Sequence, residues 1–134
     1  MEKLNVLILE DDRVIYQHLT KVLQKMGLIN IFTAKNHREA LELAVENRFH
    51  IMLSTVKIGN GFDGVDTVKT LQNLYNITVI FICNLNDEEI LERVAEVSFI
   101  GYLVKPFREK ELETLLIIAI KKYKISSFIS PHTI

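Results

Sequence analysis

A single cysteine, Cys83, stands in the whole chain of 134 residues. It excludes an internal disulfide framework, so the fold must rest on its apolar core, and a reducing cytosol is the expected setting. The histidines His18, His37, His50 and His132 are dispersed, without the paired spacing of a zinc site. An excess of one charge is missing too, because sixteen basic residues are scattered among seventeen acidic ones. That balance leaves no electrostatic footprint for nucleic acid, so direct nucleic-acid binding by this chain is not expected. The longest wholly apolar run, residues 115–120, falls far short of the roughly 20 residues that cross a bilayer. Met1-Glu2-Lys3 leads into an apolar segment with no signal-peptide pattern, so no membrane partner is expected either. No glycine-rich phosphate loop follows the first apolar segment, which leaves nucleotide binding there without a motif.

What is present is a 49% hydrophobic composition, enough for one domain with its own core. We expect that domain to occupy residues 1–124, with 125–134 as a tail or the start of a linker. Short β-branched and aliphatic runs near 4–9, 29–33, 50–55, 77–83 and 100–104 read as parallel strands buried on both faces. Segments of helical period lie between them. Ile15, Leu19, Val22, Leu23 and Met26 form one stripe, ended by Gly27. Asn36 with Glu39 opens a second helix, with Ala40, Leu41, Ala44 and Val45 facing inward. A third follows Gly64 with Val65, Val68 and Leu71 inward, a fourth starts near Asn86 with Glu89, and a fifth covers about 108–123.

Repeated strand-helix units with right-handed crossovers give either an open doubly wound sheet or a closed eight-unit barrel, and five units are too few for the barrel. The expected class is therefore α/β, a flavodoxin-like (βα)5 sheet of order 2-1-3-4-5. Its ligand crevice lies beyond the carboxyl ends of the first and third strands. Glu10 and Asp11 end the first, and Thr55 ends the third. Carboxylates converging there suit Mg²⁺, which commonly takes one or two of them together with waters and phosphate oxygens. Asp12 reads instead as the N-cap before Arg13.

Val6-Leu7-Ile8-Leu9-Glu10-Asp11-Asp12, the turn Asp63-Gly64 and Gly101-Tyr102-Leu103-Val104-Lys105-Pro106-Phe107 together resemble the receiver domain of two-component response regulators, over residues 4–123. The resemblance implies that Glu10 and Asp11 are the acidic Mg²⁺ pair, that Lys105 is the pocket lysine, and that Tyr102 is the mobile aromatic. It also implies that Thr55 stands at the phosphate-accepting position, normally aspartate, and Cys83 at a position normally Ser or Thr. Those two departures fall on the residues that perform the switch. A threonine hydroxyl is a poor nucleophile without a base, and losing a carboxylate weakens or abolishes Mg²⁺ binding. A thiol is also a weaker hydrogen-bond donor than a hydroxyl.

Lys105 is then expected to pair with Asp11 or Glu10 and to approach the Thr55 hydroxyl. The resemblance points to a non-enzymatic, phosphorylation-independent receiver acting through protein contacts. Its expected partners are a second copy, through the fourth helix, fifth strand and fifth helix, and also a histidine kinase or an output domain. Ile117 and Ile118, in an apolar run wider than one core-facing stripe, are the expected interface residues. The alternative is a working phosphoacceptor that uses Mg²⁺ and a substitute aspartate, Asp63 or Asp12. Asp63 reads more naturally as turn chemistry.

Overall fold

The computed structural model describes residues 3–57, 63–84 and 92–129, with side chains as far as 123. Five parallel strands form one sheet: β1 (Asn5–Leu9), β2 (Asn30–Ala34), β3 (Ile51–Thr55), β4 (Thr78–Cys83) and β5 (Gly101–Val104). Their order is β2-β1-β3-β4-β5, the doubly wound order expected. Helices α1 (Arg13–Lys25), α2 (His37–Glu46) and α3 (Gly64–Leu74) and a C-terminal helix (Glu109–Ile129) pack around it. The start proposed near Asn86 and Glu89 lies outside the described residues, and Glu92 to Val94 form a helical turn. None of the described helices is long and apolar enough to cross a membrane.

Alternation along each strand explains the two faces. Leu7, Leu9, Met52, Val79 and Phe81 point to one side, where α2 and α3 bring Ala40, Ala44, Val68 and Leu71. Val6, Ile8, Ile51, Leu53, Ile80 and Ile82 point to the other, against Leu19, Val22 and Leu23 of α1 and Leu112, Leu116 and Ala119 of the C-terminal helix. Each fully buried aliphatic side chain contributes roughly 1.5–3 kcal/mol, and β1 and β3 have such residues on both faces. This two-sided burial makes their sequences read as unbroken apolar runs.

The helix ends follow local chemistry. The Asp12 carboxylate accepts from the Val14 and Ile15 N–H groups and caps α1. Gly27, at φ 84°, closes α1 with Leu28 N–H donating to the Leu23 carbonyl and Gly27 N–H to that of Gln24. The Asn36 side chain accepts from Glu39 N–H as expected, while Glu39 reaches back to Lys35 N–H rather than to Asn36. One inward assignment is corrected: Val45 is 82% exposed. It lies ~140° around α2 from Ala40, and the half-buried Leu43 packs on the core instead.

Asp63 and Asp66 form a reciprocal capping box at the start of α3. Gly64 is pressed against the end of β3: its N–H donates to the Val56 carbonyl at 2.7 Å, and a Cβ there would stand 1.8 Å from the Thr55 carbonyl oxygen. A side chain at 64 must therefore push α3 away from Thr55. Gly64→Ala is expected to cost about 1–3 kcal/mol in urea denaturation, with an unchanged midpoint contradicting this close approach.

Candidate functional site

The carboxyl ends of β1 and β3 are adjacent in the sheet, with Leu9 paired to Ser54. The chain therefore leaves β1 at Glu10 beside the place where β3 ends in Thr55. Glu10 is almost wholly buried, at 2% exposure, whereas Asp11 is exposed. One Glu10 carboxylate oxygen accepts from Asp12 N–H at 3.1 Å, and the other meets Lys105 Nζ at 3.4 Å. Lys105 comes from the far side of the sheet, just beyond β5, and is held there as its N–H donates to the Cys83 carbonyl at 2.8 Å. Of the two expected partners, then, Lys105 takes Glu10.

The expected approach of Lys105 to Thr55 is not seen. Thr55, 6% exposed, donates its hydroxyl to the Lys57 carbonyl at 3.4 Å. Its own carbonyl accepts from the Ser54 hydroxyl at 2.8 Å. A hydroxyl two residues from a backbone carbonyl can satisfy itself locally, whereas a carboxylate at the same place could only accept. The thiol of Cys83 is buried at the end of β4, and Tyr102 on β5 is 47% exposed.

Burial pushes the Glu10 carboxyl above its ordinary range, and the Asp12 N–H and Lys105 pull it back only in part. Of the carboxylates a hard cation would need, Glu10 is thus already engaged and Asp11 lies exposed beside it. Among the described residues, no group of three metal-ligating side chains converges anywhere. The residues at this crevice are a poor fit for Mg²⁺: Glu10 is bound to Lys105 and Asp12, and its neighbour Thr55 supplies only a hydroxyl turned to a backbone carbonyl.

A feature not anticipated from the sequence is Arg93. Its guanidinium binds the Asp63 carboxylate and, at 2.8 Å, Asp66 Oδ1. It thereby ties the cap of α3 to the segment that precedes β5. Partners 27 and 30 residues apart leave no local signal; the only hint was a pair of aspartates at capping-box spacing.

A family model for the response regulator receiver domain matches residues 6–117. The chain belongs to that family. This receiver is 31% identical over 110 residues to the transcriptional regulatory protein CrdR of Helicobacter pylori, covering 81% of this chain and 51% of CrdR. It is 25% identical over 119 residues to the transcriptional regulatory protein PdtaR of Mycobacterium tuberculosis, covering 89% of this chain and 58% of PdtaR. The chain therefore spans a little over half the length of these relatives. Among solved structures, the signal receiver domain of a modulated diguanylate cyclase from Desulfovibrio desulfuricans superposes with a TM-score of 0.83. That receiver is 31% identical, and the match covers 93% of this chain and 99% of the other.

The buried carboxylate has a signature in pH. A carboxyl whose folded pKa is raised binds its proton more tightly folded than unfolded. Its contribution is full below the unfolded value, near 4.5, and is lost as pH rises through the higher folded value. Native protein should therefore lose stability relative to Glu10→Gln as pH is raised from 4 towards neutrality. Denaturation midpoints of the two proteins across that range are the check, and parallel curves would contradict the raised pKa.

Proposed function

We propose that this receiver works without phosphorylation, as a regulatory module that signals through protein contacts and performs no catalysis. The observation that carries this reading is Thr55. It ends β3, the position from which a receiver's aspartate takes phosphate, and its hydroxyl has a backbone carbonyl rather than a base as its partner. An unactivated hydroxyl is a poor nucleophile, and no acyl phosphate can form on it. Lys105, the residue that would bridge to a phosphate, is engaged by Glu10.

The alternative, a substitute aspartate, meets two obstacles. Asp12 caps α1 with its side chain. Asp63 caps α3 and binds Arg93. Either would have to abandon a helix start, which costs about 1 kcal/mol, before it could act as an acceptor. Mg²⁺ has no more than the Glu10 and Asp11 carboxylates to hold it and is bound weakly or not at all.

In this reading the partners are a second copy, a histidine kinase or an output domain. Self-association is supported by Tyr102 on β5 and by Ile117 and Ile118 on the C-terminal helix, which are 47%, 46% and 48% exposed. Large apolar side chains left in water on neighbouring elements mark a contact surface.

Incubation with acetyl phosphate and Mg²⁺, followed by intact-mass spectrometry, tests the absence of phosphotransfer. Native protein should stay unmodified while Thr55→Asp acquires one phosphate. A phosphate on native protein would overturn the proposal. For self-association, sedimentation equilibrium should show native protein as a dimer and Ile117→Glu/Ile118→Glu as a monomer. A native monomer, or an unchanged mass in the variant, would remove this interface.

A further inference from the structure

A cavity of about 1020 Å³ opens at the pole opposite the receiver crevice, among the amino ends of the strands. It is at the upper end of the size range of small-molecule sites. Three cationic side chains line it: Lys3 ahead of β1, Arg48 between α2 and β3, and Lys122 on the C-terminal helix. All three are exposed, and none pairs with a carboxylate among the described residues. No described carboxylate lines the cavity. Three cations brought together from separate segments, with no acidic partner among the described residues, raise the local potential in favour of a multiply charged anion.

The wall behind them is ordered and partly aromatic. Tyr123 meets the buried His50 ring edge-on, at 4.7 Å between centroids. The Nδ1 of His50 accepts from Asn5 N–H at 2.9 Å, which fixes the imidazole at the entrance to β3. Tyr75 is anchored by its hydroxyl, which donates to the Ala44 carbonyl at 3.1 Å. The Gln72 amide donates to the Ser98 carbonyl at 2.7 Å and accepts from Ser98 N–H at 3.2 Å, so that the end of α3 and the segment before β5 are tied together at the cavity. A lining that is more polar than apolar, with aromatic rings beside a few converging charges, suits an organic ligand that is itself polar and charged rather than an apolar one. Inorganic phosphate alone would leave most of it unfilled.

We propose that this cavity binds a small aromatic organophosphate, a nucleoside phosphate. Its phosphates meet Lys3, Arg48 and Lys122, and its ring lies against the aromatic wall. The ligand would bridge the entrances of the strands to the C-terminal helix through Lys122 and Tyr123. This site is independent of the chemistry of Thr55, which lies at the other end of the sheet.

Amide NMR of the full chain, titrated without Mg²⁺ at constant ionic strength, tests the site with ATP, GTP and inorganic tripolyphosphate as probes. At least one nucleotide should produce saturable shifts at Thr78, Ser98, Ile100 and Tyr123 and bind about tenfold more tightly than tripolyphosphate. Arg48→Ala/Lys122→Ala changes only exposed side chains, so its remaining spectrum should be native, while nucleotide affinity should fall about tenfold or more. No saturable shifts, equal affinity for tripolyphosphate, or nucleotide binding that survives the double substitution would each overturn the proposal.

Discussion

A carboxylate with almost no access to water has to find compensation within the protein, and Glu10 finds it in a lysine 95 residues away. The pair links the middle of the sheet, where β1 ends, to its edge beyond β5. Removing one partner of such a pair leaves a buried charge uncompensated, which costs far more than the pair gains. The end of β1, the loop after β5 and the start of α1 are therefore mutually constrained, because the same carboxylate also accepts from Asp12 N–H. In a phosphorylated receiver, a lysine in this place is the bridge to the phosphate. Here that lysine meets a carboxylate that is part of the fold.

Much of this was legible in the sequence because the underlying patterns are local. Two-sided burial wrote the interior strands β1, β3 and β4 as apolar runs, while the edge strands β2 and β5 are only partly buried, and the capping residues Asp12 and Asn36 and the closing Gly27 marked helix ends in the expected places. Topology alone then brought Glu10 and Thr55 to one crevice. Where the reading fell short, the deciding quantity was spatial. Whether Lys105 meets Glu10 or Asp11 depends on which of two adjacent carboxylates turns inward. Whether Thr55 faces that lysine depends on a competing carbonyl two residues along. The Arg93 clamp joins segments whose approach no periodicity reports. Val45 was misplaced because a strand-like apolar residue on a short helix can lie just outside the buried arc.

The molecule thus has two chemically different poles. At the carboxyl ends of the strands stand a buried acid paired with a lysine and a threonine bonded to a nearby carbonyl. At the amino ends, cations with no acidic partner among the described residues stand beside a partly aromatic wall. The C-terminal helix runs between them: its Leu112, Leu116 and Ala119 are buried against the sheet, Ile117 and Ile118 face outward, and Lys122 and Tyr123 reach the second pole. A change in the packing of that helix would be felt at both the apolar surface and the cavity.

The central claim is that the receiver crevice is settled without a phosphoryl group. Beryllofluoride mimics an acyl phosphate only when an aspartate carboxylate binds it, so an amide NMR titration with beryllofluoride and Mg²⁺ is the most direct measurement. Native protein should show no change at Glu10, Thr55, Val56 or Lys105, while Thr55→Asp should respond at those same amides. Saturable shifts in the native protein would mean that another carboxylate serves as the acceptor, and would contradict the account.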